Sequence, residues 1–157
     1  FMAYTREIVK NCYPDLSFPE AWERVALTNL VKCNEQEHST SNSSADGTPY
    51  SVAEHCLVRL QVFPRELDVL QPTHVVFLTG RSYDHFLGET MFGMQWRDAP
   101  GSGPHAVADC GGKELPWWEG FVVRDGGIPC RVLRTGHPQF KPKDPFVKLV
   151  SDWLMKE

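Results

Sequence analysis

Two short polar sequences follow apolar runs whose residue types predict buried strands. Thr28-Asn29 lies within VALTNLV at 25–31, and Thr135-Gly136-His137-Pro138 directly follows CRVLR at 130–134. Amide and imidazole side chains can both donate and accept hydrogen bonds, so both can contact a polar ligand. Open parallel sheets bind ligands at the carboxyl ends of their strands, and the pattern therefore predicts one site with Asn29 and His137. Taken alone, Asn29 would more often be a structural residue that satisfies backbone groups at a strand end.

The surrounding sequence predicts helices and strands in alternation, from apolar spacing, caps and turn residues. The predicted elements are, in chain order, a helix at 2–12, a buried strand at 25–31, a mobile loop from Asn34 to Pro49, a helix from 51 to Pro72, a buried strand at 74–80, a helix at 82–92, an irregular stretch from Gly93 to Gly120, a hairpin of 121–124 with 130–134, and a helix from Asp144. Pro64 is expected to kink the second helix. This order indicates a single α/β domain over 1–157, a three-layer sandwich with a short, mainly parallel central sheet flanked by helices.

Charge is distributed unevenly along the chain. The formal net charge is −4, yet residues 124–148 hold six basic side chains against Asp125 and Asp144, a local charge of +4. This fits either a small anion-binding patch on an acidic body or an ordinary solvated face. The five scattered cysteines argue against a disulfide scaffold. No apolar run reaches the roughly 18 residues of a membrane span and no secretory signal is evident, so a cytoplasmic or nuclear protein is expected.

Four segments, in this order, resemble the motifs of the uracil-DNA glycosylase superfamily, and most closely its iron-sulfur branch. They are TNLVKC at 28–33, AEHC at 53–56, LQPTHVVFLTG at 70–80 and VLRTGHPQF at 132–140. The resemblance covers Val25 to Phe140, and its specificity lies in the order and spacing of the four segments. It implies that the domain lacks its N-terminal strand and first motif, which supplies the water-activating side chain.

The resemblance implies a base-flipping enzyme with a pocket for one base. Asn29 would read uracil by accepting from N3–H and donating to O4, whereas cytosine mismatches both positions. His137 would donate to O2 as the N-glycosidic bond lengthens, and a neutral imidazole suffices for this. The spacing from Asn29 implies that Phe1 is the aromatic platform on which the base stacks.

The segment after His137 would, by the same resemblance, enter the minor groove of DNA. It implies that Phe140 wedges into the gap left by the flipped nucleotide, and that Gln139, Lys141 and Lys143 contact phosphates. Phe140 as a core residue is the alternative. Gln139 departs from the small residue usual at this place, which leaves the substrate and even the activity open.

Cys33 and Cys56 match two of the four cysteines that hold the cluster in the iron-sulfur branch. The family's other two ligands would lie upstream of this sequence. No cofactor is therefore expected, and a [4Fe-4S] cluster only if further cysteines precede residue 1. The alternative is that Cys33 and Cys56 are two buried free thiols.

We therefore expect a monofunctional, monomeric DNA glycosylase that hydrolyses the N-glycosidic bond of uracil, or of a related modified base, in DNA. One alternative is a catalytically inactive module of the same fold that binds DNA or a protein partner. Another is an unrelated α/β hydrolase or nucleotide-binding domain. Neither G-x-S-x-G nor G-x-x-x-x-G-K-[ST] occurs in the sequence, which disfavours that last class.

Overall fold

The computed structural model describes residues 2–28, 54–87, 90–91, 94–123, 129–139 and 141–156. The helices are α1 (Met2–Cys12), α2 (Phe18–Trp22), a π-helical turn (His55–Arg59), α3 (Val62–Leu70), a 3-10 turn (Asp84–Phe86) and α4 (Lys143–Met155). The strands are β1 (His74–Phe77), β2 (Thr90–Met91), β3 (Met94–Asp98), β4 (Val107–Asp109), β5 (Glu114–Val123) and β6 (Cys130–Thr135). Helices and a sheet combine in one chain, which agrees with the predicted α/β class.

The sheet is mixed, so the prediction of a mainly parallel sheet is wrong. Its strand order is β1-β6-β5-β3-β2, and β4 pairs with β5. Among the described strands, only β1 and β6 run parallel, with Val76 opposite Leu133. The other pairs are antiparallel because β5 and β6 form a hairpin and β3 pairs with β5 on its other side.

Two clusters of buried apolar side chains pack against the sheet. One contains Phe63 of α3 together with Trp118 and Val132 of the strands. The other contains side chains of α1, α4, the turn between β4 and β5, and the start of β5, namely Ile8, Cys110, Leu115, Phe146, Val147 and Val150. Two adjacent residues of β1 contact different clusters: Val75 packs against the first cluster and Val76 against the second. Because successive strand residues face opposite sides, the clusters lie on opposite faces of the sheet.

Four predicted elements are confirmed: α1, β1, the β5–β6 hairpin and α4. In α4 the buried residues Phe146, Val150 and Trp153 recur at helical spacing. Lys148 donates to Asp152 one turn later at 2.6 Å on the exposed side. α1 packs on α4, where the Tyr4 ring meets Phe146 edge to face at 5.7 Å. These helices cover the sheet face that carries the second cluster.

Residues 25–28, the described part of the predicted strand at 25–31, do not form a strand. The amide of Val25 donates to the carbonyl of Trp22 at 3.2 Å and so continues the turn after α2. Leu27 is 45% exposed, and the hydroxyl of Thr28 donates to Glu66 of α3 at 3.1 Å. The prediction of a buried strand is therefore wrong for these residues.

The predicted helix from 51 to Pro72 is broken where a kink was expected. Gln61 has φ 49° and separates the π-helical turn from α3. In one continuous helix, the ring of Pro64 would clash with the carbonyl of Leu60, and Pro64 has no amide to donate to it. With α3 beginning at Val62, Pro64 falls in the first turn, where an amide needs no intrahelical acceptor.

The predicted helix at 82–92 and the irregular stretch at Gly93–Gly120 are also wrong. Among the described residues of 82–92, only Asp84–Phe86 forms a helical turn; Leu87 is already extended, and β2 follows. The stretch after it contains β3, β4 and most of β5. Close packing explains one of its glycines, because a Cβ on Gly120 would lie 2.4 Å from the Trp96 ring.

Candidate functional site

The parallel pair β1 and β6 creates a carboxyl edge, where both strands end side by side. The amide of Gly80 donates to the carbonyl of Thr135 at 2.8 Å. Gly80 has φ +60°, a conformation that favours glycine, and it turns the chain away from β1. His137 lies two residues beyond the end of β6, and therefore at this edge.

The ring of His137 is exposed and held by its own loop. The amide of Gln139 donates to Nδ1 of His137 at 3.2 Å. A neutral imidazole that accepts at Nδ1 carries its proton on Nε2. The contact therefore makes Nε2–H the donor of the ring, while the buried Pro138 holds the turn between the two residues.

Gly136 brings this loop close to β5. A Cβ at this position would lie 2.8 Å from Cδ1 of Leu115 and 3.4 Å from Cδ of Pro116. Leu115 has no exposed surface, so it cannot turn into solvent to make room. The φ of Gly136 lies outside the left-handed region, so backbone conformation does not require a glycine here. The close approach of Leu115 does.

The segment after His137 joins the site to α1. Gln139 is exposed, and the amide of Lys141 donates to the carbonyl of Pro138 at 3.0 Å. The hydroxyl of Tyr4 donates to the carbonyl of Lys141 at 2.9 Å, which anchors the segment on α1. Lys143, the first residue of α4, lies 3.7 Å from Glu7, and both side chains are about two-fifths exposed.

An ion pair that the sequence did not predict lies directly behind this edge. Arg134 of β6 has no exposed surface, and its Nε lies 2.8 Å from Oδ1 of Asp84. Burial raises the pKa of Asp84 more than Arg134 lowers it, and burial also lowers the pKa of Arg134. The sequence did contain one signal for this pair: Arg134 lies inside the apolar strand CRVLRT, and a buried arginine requires a partner.

Several predicted site residues lie outside the described residues: Phe1, Asn29, Cys33 and Phe140. Of the predicted residues, the structure thus brings together His137, Gln139 and Lys141 in one loop, with Lys143 at the start of α4. The predicted pairing of Asn29 with His137 stays a prediction.

Cys56 does not fit the predicted cluster. It is 1% exposed and disulfide-bonded, whereas Cys12, Cys110 and Cys130 are free. A disulfide sulfur is not the thiolate that a cluster requires, and it is also not a free thiol. Within the described ranges, no group of three or more His, Cys, Asp or Glu side chains could hold a metal ion.

A cavity of about 550 Å³ lies elsewhere, between α1 and α4. Lys10 and Asn11 line it from α1, and Lys148, Ser151 and Asp152 from α4. The side-chain Nδ2 of Asn11 donates to the Ser151 hydroxyl at 3.4 Å, so a polar contact joins the two walls of the cavity. His137 does not line this cavity, and the candidate site is therefore defined by the carboxyl edge and not by cavity volume.

No protein-family model matches this chain, and no curated protein or solved structure is detectably similar to it. None of the helices in the described part of the chain is long and apolar enough to cross a membrane. The carboxyl edge and the resemblance of its motifs are therefore the basis for assigning a function.

Proposed function

We propose that this protein is a DNA glycosylase that removes uracil, or a related modified base, by hydrolysing its N-glycosidic bond. The observation that carries the proposal is the geometry of His137, which is exposed at the carboxyl edge with Nδ1 accepting the amide of Gln139. An imidazole that accepts at Nδ1 carries its proton on Nε2, and the reaction needs a donor of this kind. The TGHP sequence around His137 also belongs to the glycosylase resemblance and lies within the described residues.

The reaction breaks the bond between C1′ of deoxyribose and N1 of the base. The bonding electrons leave with uracil, whose negative charge spreads onto O2, while a water oxygen bonds to C1′ and loses a proton to the surrounding water. A donor aimed at O2 lowers the barrier because this charge is larger in the transition state than in the bound substrate. Such a donor contributes most in a dry site, and we infer that bound DNA excludes water from the exposed ring.

The proposal takes the residues that recognise the DNA from the resemblance. Asn29 reads the base, Phe1 stacks on it and Phe140 enters the gap in the duplex. Gln139 and Lys141 follow His137 directly and contact the DNA backbone, with Lys143 next along the chain; such phosphate contacts position the enzyme without reading sequence. Glu7 competes with the DNA phosphates for Lys143, because its carboxylate lies 3.7 Å from the Lys143 ammonium group.

The same proposal gives the protein a three-layer arrangement, with α1 and α4 on one face of the sheet and α3 on the other. The two apolar clusters on opposite faces support it. The enzyme acts as a monomer, and its DNA substrate places it in the cytoplasm or the nucleus. No step is routed through an iron-sulfur cluster, because Cys56 is disulfide-bonded.

The test uses the full-length product of the native gene and labelled oligonucleotides that carry one uracil, single-stranded or paired with adenine or guanine. Excision leaves an abasic site that hot alkali converts into a strand break. We expect breaks with the wild-type protein, a loss of about 100-fold or more in His137→Ala, and unchanged activity in His55→Ala, whose exposed ring lies on the π-helical turn.

Two results would contradict the proposal. Either no oligonucleotide is cut by the wild-type protein, or His137→Ala and His55→Ala cut equally well. Salt-dependent binding of DNA without excision would instead support an inactive module of the same fold.

A further inference from the structure

Arg134, three residues before His137, ties together three segments of the carboxyl edge. Its Nη2 donates to Oδ2 of Asp84 at 2.9 Å, and its Nε lies 2.8 Å from Oδ1, an ion-pair contact without hydrogen-bond geometry. Nη2 also donates to the carbonyl of Pro104 at 2.6 Å. The contacts connect β6 with the 3-10 turn after β1 and with the loop between β3 and β4.

The aromatic side chain opposite Arg134 is itself held in place. Trp118 is the cross-strand partner of Arg134, and Cζ of Arg134 lies 5.3 Å from the centre of its ring. Nε1 of Trp118 donates to Oδ1 of Asp98 at 2.6 Å, and Nε1 of Trp96 donates to the same oxygen. The guanidinium is therefore fixed by a carboxylate, a carbonyl and an anchored ring.

Stability alone does not account for this pair. Moving two charges out of water costs about as much as their attraction returns, and an apolar pair of similar size is often more stable. Among the described residues, Nε and Nη1 of Arg134 and Oδ1 of Asp84 have no hydrogen-bond partner although they are buried, which adds to the cost. What the pair supplies is a defined geometry, because a guanidinium and a carboxylate meet in only a few orientations.

We propose that Arg134 and Asp84 are positioning residues, which hold the carboxyl edge so that the His137 ring keeps its donor orientation. The path is short, since Thr135 next to Arg134 accepts the amide of Gly80, and Asp84 follows Gly80 by four residues. A shift of either charged side chain moves both sides of the edge. The expected effect on excision rests on the proposed function, whereas the expected effect on the orientation of the His137 ring does not.

The first test is spectroscopic and needs no substrate. Ring ¹⁵N chemical shifts of His137, measured near pH 8 where imidazoles are neutral, report which nitrogen carries the proton. We compare wild type with two edge variants. Asp84→Asn keeps the size of the aspartate and removes its charge, and Arg134→Lys keeps the positive charge and removes the planar guanidinium. Asp152→Asn is the matched control, because Asp152 is exposed and paired with Lys148 on α4.

We expect the Nε2–H form to dominate in the wild type and in Asp152→Asn, and both tautomers to be present in the two edge variants. The wild-type tautomer in both edge variants would overturn the proposal. If only one edge variant folds, the tautomer of His137 in that variant decides whether the proposal holds. If neither shows cooperative unfolding, the pair holds the whole fold and the proposal fails as well.

The second test is single-turnover excision of uracil. We expect both edge variants to lose about 100-fold in rate, the usual consequence of misplacing a catalytic group by an ångström, while the Kd for DNA changes less than about twofold. A weaker Kd with an unchanged rate would overturn the positioning role. If the wild-type protein excises nothing, the proposed function fails, and the tautomer comparison still decides this inference.

Discussion

Gly136 separates the end of β6 from His137, and replacing it with alanine tests how tightly the carboxyl edge is packed. The added Cβ would lie 2.8 Å from Cδ1 of Leu115. Favourable carbon contacts begin at about 3.5 Å, so the overlap is about 0.7 Å. Leu115 is buried without exposed surface, and the backbone at residue 136 must therefore move. We expect Gly136→Ala to lower the free energy of unfolding by about 1–3 kcal/mol.

Urea denaturation measures this effect, and two further variants isolate its cause. Gly103→Ala is the matched control, because its added Cβ meets no atom within 4 Å and should change stability by less than about 0.5 kcal/mol. Leu115→Val removes the atom that is struck, so the double variant with Gly136→Ala should exceed the additive expectation by about 1 kcal/mol. Strict additivity, or an unchanged Gly136→Ala, would refute the packing argument.

Two further predictions concern titration and charge. Burial and the charge of Arg131 lower the pKa of His74 from its ordinary 6.5; between the lowered value and 6.5 the unfolded chain binds more protons, so stability falls as pH drops through this window. His74→Gln should weaken that loss in urea titrations from about pH 7 to pH 5, and a wild-type pH slope in this variant would contradict it. Glu7→Gln frees Lys143 and should tighten DNA binding at low salt by up to about fivefold in fluorescence anisotropy, with stability changed by less than about 0.5 kcal/mol. Weaker binding, or binding unchanged relative to the control Glu23→Gln, would count against Lys143 as a phosphate contact.

Elements governed by neighbouring residues were predictable from the sequence. In α4 the apolar residues recur every three or four positions, and each of Phe146, Val150 and Trp153 is buried against the rest of the fold. The β5–β6 hairpin needs only two β-rich runs around the turn residues at 125–127. In both cases the information lies within one short segment, which is why α4 and the hairpin are correctly predicted.

β3 and the first part of β5, residues 114–120, were missed because their acidic residues resemble loop residues. Asp98 accepts from the indole N–H groups of Trp96 and Trp118, both at 2.6 Å. Glu119 likewise accepts from Trp117 at 2.6 Å and from Trp153 at 2.9 Å. Each acid has one indole partner two residues earlier on its own strand. The second partner lies on another element, Trp118 on β5 for Asp98 and Trp153 on α4 for Glu119, so the full set of contacts is not visible in the local sequence.

The candidate site depended on a premise that is partly wrong. A mainly parallel sheet was expected to gather Asn29 and His137 at one edge, yet only β1 and β6 are parallel among the described strands. One parallel pair is sufficient to make a carboxyl edge, and His137 follows a strand of that pair, so its placement survives the correction. The same argument does not extend to Asn29, because residues 25–28 before it are not a strand. Its role as the base reader is therefore proposed from the resemblance alone, whereas His137 also lies at the carboxyl edge of the parallel pair.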